Sequence, residues 1–258
     1  MTDAPVLVSR DGAVATVTLN RPAKRNALNS VMVEGLKAAV AELSREADVR
    51  VIVITGAGRD FCAGADLEQL ERIAAGADPM DNLRDAQSLG DLFVRMRNAP
   101  RPIVAAVRGN AIAGGAGLAG ACDIIIAADD AVFGYPEVHL GFVPAMVMAL
   151  LRRAVGEKVA FELVASGDRI TAAEAHRTGL INRVVASDDF DDFVGRYVRD
   201  LASRSASAMT LTKRLLYGMD GLSFEDAIER GAEINALARS TEDCRAGVRR
   251  FLDRQRGP

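Results

Sequence analysis

Cysteine and histidine are scarce in this chain, and their scarcity excludes several chemistries. The three cysteines, Cys62, Cys122 and Cys244, lie far apart with no C-x-x-C pair, so neither a disulfide framework nor a zinc-ligand spacing can be read, and no metal site is expected. Reduced thiols in a cytosol fit this pattern best. The two histidines, His139 and His176, have no serine or cysteine partner in a nucleophile setting, and each is read as structural. Long apolar runs are missing as well. The longest, Val143 to Leu151, is broken by Pro144 and is too short to cross a bilayer. The start, Met1 to Pro5, shows neither the basic nor the apolar stretch of a signal peptide. Positive charge is not in excess: the net charge is −3, which gives no general attraction to nucleic acid. Repeats and low-complexity tracts are absent. A soluble, cytoplasmic protein with no nucleic-acid or membrane partner is expected.

What is present is ordinary globular material. The 258 residues, 49% hydrophobic and 26% charged, suffice for one large domain or two modest ones. Ala13 to Leu19 alternates with β-branched residues and predicts a strand. Asn29 can cap a helix running to about Arg45, with Met32, Val33, Leu36, Val40 and Leu43 on one face. Val49 to Thr55 predicts a buried strand ended by Gly56-Ala57-Gly58. A helix is expected after Asp66 and another from about Asn82 to Asn98, stopped by Pro100-Arg101-Pro102. Ile103 to Val107 and Ile124 to Ala127 predict further buried strands around a short Gly/Ala-rich helix. Alternation of this kind points to an α/β core. Beyond about Met146, four or five helical patterns with one short strand, Asn182 to Val185, are expected. The division is placed at residues 1–195 for the core and 196–258 for a helical C-terminal region suited to oligomer contacts.

Three segments join unusual backbone freedom to a strand end. In Phe61-Cys62-Ala63-Gly64-Ala65-Asp66-Leu67, small residues let a ligand approach the main chain, and Asp66 can cap the next helix, leaving nearby N–H groups open to a ligand. A plain strand–turn–helix connection would look the same. In Gly109 to Leu118, ahead of Cys122-Asp123, four glycines leave little cover over the N–H groups at a helix start, a ready place for a negative oxygen. Close helix–strand packing also explains those glycines. No Gly-Lys-Ser/Thr follows and the G-x-G-x-x-G order is absent, which argues against a nucleotide phosphate loop. In Phe133 to Pro144, Glu137 has apolar neighbours that tend to raise a carboxyl pKa, as proton transfer to carbon requires. A loop glutamate in a structural ion pair is the alternative.

Taken in order, these segments resemble the crotonase (enoyl-CoA hydratase/isomerase) family. Arg21-Pro22-Ala23-Lys24-Arg25-Asn26-Ala27-Leu28-Asn29 is similar to its CoA-loop signature. F-C-A-G-A-D-L and A-G-G-A-G-L…A-C-D are similar to its two oxyanion segments, and F-G-Y-P-E…L-G to its catalytic-carboxylate segment. Arg169 to Ala175 and Gly179 to Val185 continue the likeness over nearly the whole chain. The resemblance implies an α/β fold with a spiral ββα core, homotrimers or dimers of trimers, and C-terminal helices at the subunit contacts. It implies oxyanion donors at Ala65 and Gly114, a catalytic carboxylate at Glu137, and an acyl-CoA thioester as substrate and partner. Coenzyme A arrives as part of that substrate, and no separate cofactor is implied. Lys24 and Arg25 become candidates for the CoA phosphates, and Ala27, Ala63, Asp66 and Leu67 for the rest of CoA. Phe251 and Arg254 are similar to a pair that reaches CoA from a neighbouring subunit.

The family's two-carboxylate hydratases place a second glutamate twenty residues before the Glu137 position, where this chain has Gly117. A family aspartate eight residues after Glu137 is replaced by Ala145. One base suffices for a 1,3 proton shift, so isomerisation of an enoyl-CoA is better supported than efficient hydration. Glu68, Glu71 or Asp91 could supply a replacement carboxylate if turned inward, and the segments from Asp66 to Ala75 and Ala77 to Leu89 are expected to shape the acyl pocket. Thioester hydrolysis, C–C cleavage and a catalytically silent acyl-CoA-binding subunit are the alternatives.

Overall fold

The computed structural model describes residues 4–76 and 78–255. Met1 to Asp3 and Ala77, on which two of the expectations above rest, lie outside the described residues. Strands β1 (Val6–Asp11) and β2 (Val14–Leu19) form an antiparallel hairpin. Helix α1 (Ser30–Arg45) follows, and Asn29 does cap it, its side chain accepting from the Met32 N–H at 2.9 Å. The chain continues through β3 (Val51–Gly56), α2 (Leu67–Ala74), α3 (Pro79–Asn98), β4 (Ile103–Val107), β5 (Asn110–Ile112), α4 (Gly114–Gly120), β6 (Ile124–Ala128) and β7 (Val132–Gly134). Next come α5 (Ala145–Ala154), α6 (Glu157–Ser166), β8 (Arg169–Thr171), α7 (Ala172–Arg177), β9 (Arg183–Val185) and α8 (Phe190–Ala202). Three last helices, α9 (Ala206–Gly218), α10 (Phe224–Arg239) and α11 (Glu242–Gln255), complete the chain.

A six-stranded sheet runs β1-β2-β3-β4-β6-β9 and is parallel from β2 onward. Its central strands are covered on both faces, which is why they read as unbroken apolar runs. Alternate residues divide between two cores. Ile52, Ile54, Ile103, Ala105, Ile125 and Ala127 pack with α1, α3 and α4, whereas Val51, Val53, Val104, Ala106 and Ile126 pack under Phe190, Val194 and Val198 of α8. A second sheet, β5-β7-β8, stands beside it.

The C-terminal half departs from the sequence expectation. Among the described residues seven α-helices follow Pro144, not four or five, and β8 joins β9 as a second short strand among them. β8 escaped notice because it is three residues long and exposed at both ends, too little for a period of two to register. Residue 195 falls within α8, whose apolar face lies on the sheet. Beyond α8, one buried polar cluster fastens α9 to the core. Lys213 Nζ donates to Asp123 Oδ2 at 2.8 Å, to Met96 O at 2.9 Å and to Arg101 O at 3.1 Å, using all its protons. Tyr217 Oη donates to Asp123 Oδ1 at 2.7 Å. The expected pattern Ala-Cys-Asp thus ends in a carboxylate that fastens α9 to the core.

Candidate active site

Strand register assembles the candidate site. Cys62 bridges Ala111 in parallel, and Ala111 pairs in parallel with Phe133, so one rung crosses three chain segments. The rung is fixed by Cys62 N–H to Asn110 O at 2.9 Å, Ile112 N–H to Cys62 O at 3.0 Å and Ala113 N–H to Gly134 O at 2.8 Å. Because the segments are parallel, they leave the rung at one edge. Ala65 and Gly114 each lie three residues beyond it and Glu137 four. Residues far apart in sequence are thereby delivered to one place.

Hydrogen bonding aims the two N–H groups. The Gly64 carbonyl accepts from the Leu28 N–H at 2.7 Å, and the Asp66 N–H donates to Leu28 O at 3.1 Å. In a trans peptide the carbonyl and N–H point oppositely, so the Ala65 N–H is turned away from Leu28, on an exposed residue. Ala113 has φ 52° and ψ −121°, a conformation that costs a non-glycine residue and persists only where its surroundings enforce it. Its carbonyl accepts from the Gly117 N–H at 3.0 Å, so the Gly114 N–H on the same peptide points out of the start of α4. Neither the Ala65 nor the Gly114 N–H has a partner among the described residues. Two glycines let the segments close on one another. A Cβ at Gly64 (φ 96°) would lie 2.9 Å from Ile112 O and 3.7 Å from Gly114 N, and one at Gly115 only 2.3 Å from Cys62 O.

Glu137 lies in a short 3-10 helix, Pro136–Leu140, which starts on a proline and ends at Gly141 with φ 73°. Its Oε2 is buried without a hydrogen-bond partner. Burial pushes the Glu137 carboxyl above the ordinary range, since the charged form loses water without gaining a counter-charge. The other carboxylates at the sequence-predicted positions are engaged differently. Asp66 is 3% exposed and caps α2 by accepting from the Glu68 N–H at 3.0 Å. Burial alone would raise its pKa, but that hydrogen bond and the Arg21 guanidinium outweigh it and hold the group below the ordinary range. Asp91 pairs with Arg95 at 2.9 Å and Lys37 at 3.3 Å on the surface, so it does not serve as a second carboxylate. Glu68 and Glu71 line a cavity of about 690 Å³ between the starts of α1 and α2, with Ser30, Asp66 and Arg72.

The position without its glutamate is not an open gap. A methyl group on Gly117 would lie 2.6 Å from Val147 Cγ2 and 3.1 Å from Phe93 Cζ. Both side chains are buried, so α3 and α5 close this face of α4 with hydrocarbon. Gly114 is different: a Cβ there would meet Leu28 Cδ1 at 3.4 Å and Leu89 Cδ2 at 3.8 Å, ordinary contacts.

The loop bearing Lys24, Arg25 and Ala27 lies along the segment bearing Ala63, Asp66 and Leu67. Ala63 N–H donates to Arg25 O at 3.0 Å. Lys24, Arg25 and Leu67 are exposed and Ala27 is buried. Phe251 and Arg254 are exposed on α11, which packs against α9 and α10, and no hydrogen bond or ion pair joins them to this loop among the described residues. Sequence reasoning missed Asn26. It is fully buried, with φ 55°, accepts from the Arg21 N–H at 2.9 Å and donates to Ala57 O and Asp60 O at 2.9 and 2.7 Å. An asparagine beside a turn is the residue type that adopts this left-handed backbone, and that was the available signal.

Unpartnered backbone N–H groups at one strand edge, beside a single carboxyl of raised pKa, can stabilise an oxyanion while a proton moves. Within the α/β fold they form a candidate oxyanion site beside a candidate base. Comparison with known proteins gives the group: the chain belongs to the enoyl-CoA hydratase/isomerase family, whose model matches residues 9–258. A Thermus thermophilus protein provisionally named an enoyl-CoA hydratase is 41% identical, over 95% of this chain and 96% of its own. The 2,3-dehydroadipyl-CoA hydratase of Escherichia coli is 34% identical, over 97% of this chain and 96% of its own. The crystal structure of an enoyl-CoA hydratase from Mycobacterium smegmatis superposes with a TM-score of 0.92 at 31% identity, over 97% of this chain and 96% of that one. The α/β crotonase-like fold expected from the sequence is the fold of these structures. No helix among the described residues is long and apolar enough to cross a membrane.

Proposed function

We propose that this chain isomerises the double bond of an enoyl-CoA, with Glu137 as its only base. In this reading the thioester oxygen lies between the N–H groups of Ala65 and Gly114. Glu137 removes a proton from the α-carbon of a 3-enoyl-CoA, and the charge moves onto the thioester oxygen. The same carboxyl returns that proton at the γ-carbon, giving the 2-enoyl isomer with no net change in atoms. Each preorganised donor contributes about 3–4 kcal/mol to such a step. The observation that carries the reading is the hydrocarbon face at Gly117. Val147 and Phe93 occupy the side where a second carboxylate and its water would have to stand.

Lys24 and Arg25 hold the CoA phosphates in this reading, and Ala27, Ala63, Asp66 and Leu67 line the path of the rest. Phe251 and Arg254 reach the CoA of a neighbouring copy in a homotrimer or a dimer of trimers. Supporting this, Phe224, Ile228, Leu237, Phe251 and Leu252 leave large apolar side chains exposed along α10 and α11, as a face covered by a neighbouring copy would. Enolate chemistry of this kind needs no metal or redox cofactor. The free cysteines fit a cytoplasmic setting.

Incubation with crotonyl-CoA and with a 3-enoyl-CoA, followed by mass and by chromatography, tests the reading. Double-bond migration without mass gain is expected, and Glu137→Gln should lower its rate by about 10²- to 10⁴-fold. The base must be unprotonated, so kcat/KM should fall as pH drops, with a midpoint above the roughly 4.3 of an ordinary glutamate. Rapid addition of water that Glu137→Gln abolishes would reject isomerisation in favour of hydration, the activity in the names of the relatives.

A further inference from the structure

One guanidinium joins the two loops that flank the Ala65 N–H. Arg21 Nη1 donates to the Ala27 carbonyl at 2.7 Å and lies 2.6 Å from Asp66 Oδ2. Arg21 is therefore hydrogen-bonded to the residue before Leu28 and ion-paired with the residue after Ala65. Leu28 itself holds the peptides on both sides of Ala65, through Gly64 O and the Asp66 N–H. The Arg21 side chain is 18% exposed and that of Asp66 4%, so the pair is inward-facing, unlike the exposed Lys24 and Arg25. The backbone of Arg21 is also fixed, its N–H donating to the buried Asn26 side chain.

We propose that Arg21, acting through Asp66, is a positioning residue that sets the direction of the Ala65 N–H. This rests on the reading of Ala65 as an oxyanion donor. A guanidinium suits the role because one nitrogen carries two protons and a share of a permanent charge, so Nη1 can meet the Ala27 carbonyl and the Asp66 carboxylate together. Without it, Asp66 is a buried carboxylate stripped of its counter-charge, and the pressure to reach water or a proton loosens the start of α2. Asp66 is one residue from Ala65, so the donor moves with it.

The test uses the full chain with Arg21→Met, Arg21→Lys, Asp66→Asn and the Arg21→Met/Asp66→Asn double variant. Hydrogen–deuterium exchange over residues 60–66, without substrate, should quicken by at least about tenfold in Arg21→Met while β3 and β4 keep their protection. With an enoyl-CoA substrate, kcat should fall by about 10- to 100-fold with KM within about threefold, as for an interaction felt in the transition state. Arg21→Lys should recover part of the loss. The double variant should lose no more than the worse single one, because both changes break one unit. If Arg21→Met fails to fold, Arg21→Lys and Asp66→Asn carry the same readouts. A raised KM with kcat intact overturns the proposal and makes Arg21 a ligand contact. Unchanged exchange, or additive losses, overturn it too. Faster exchange at 60–66 with kcat unmoved overturns only the donor reading beneath it, since the loop would be tied by Arg21 yet stand outside the chemistry.

Discussion

Gly114 and Gly117 lie one turn apart on α4, and the space before them differs in kind. At Gly114 an added methyl would meet two leucine ends at ordinary contact distance, and at Gly117 it would be driven into Val147 and Phe93. The region around Gly114 is defined by hydrogen bonds: the Cys62–Ala111–Phe133 rung, the strained Ala113 and the tie from Leu28 each constrain where an N–H points. At Gly117 the backbone is spent on helix hydrogen bonds, and the face where a side chain would stand is defined by packing. The difference teaches that two positions one turn apart on a helix can be shaped by unrelated neighbours, hydrogen bonds at one and packed hydrocarbon at the other.

Breaking the hydrogen-bonded side should have the larger effect. Gly64→Ala puts a side chain on a residue at φ 96°, 2.9 Å from Ile112 O, and so pushes the Ala65 and Gly114 segments apart. A loss of about 100-fold in kcat/KM is expected, in line with losing one oxyanion donor, and steady-state kinetics with a 3-enoyl-CoA reads it. The packed side should answer in stability first. Gly117→Glu overfills the Val147–Phe93 contact and should cost about 1–3 kcal/mol or more in denaturant unfolding, without conferring hydration. Adding Val147→Ala should recover part of that stability and bring detectable water addition to crotonyl-CoA. If the double variant stays as dry as the parent, the apolar wall is not what separates the two reactions. The smallest change sharpens the contrast. Gly114→Ala fits the existing space, and its unfolding free energy should shift by no more than about 1 kcal/mol.

Much of the scaffold was legible because its signals are local. Asn29 capped the helix it was expected to cap, and Ile103 to Val107 is a strand over the residues its apolar run marked. The absence of a carboxylate at position 117 could also be read directly. What stands in its place could not, since Phe93 and Val147 come from helices about 24 and 30 residues away in sequence and their contact is a product of tertiary packing. Arg21 and Asn26 sat unremarked inside a segment noted for its neighbours, Lys24 and Arg25. Their work is long-range hydrogen bonding inside a left-handed turn, and sequence periodicity carries no trace of that. The C-terminal helices were under-counted for a related reason: α6 and α7 are separated only by the short β8 and blur into one pattern.

The Lys213–Asp123 pair has a consequence for how the chain melts. Asp123 belongs to the turn between α4 and β6, where it also accepts from the Ile103 N–H at the start of β4, and its ammonium partner is supplied by α9. Breaking one side of a buried pair costs about 3–5 kcal/mol, a large share of the about 5–15 kcal/mol that hold a domain together. A chain cut after α8 would forfeit that share at once. Heat should therefore unfold α9 together with the core as one cooperative unit, seen as a single calorimetric transition.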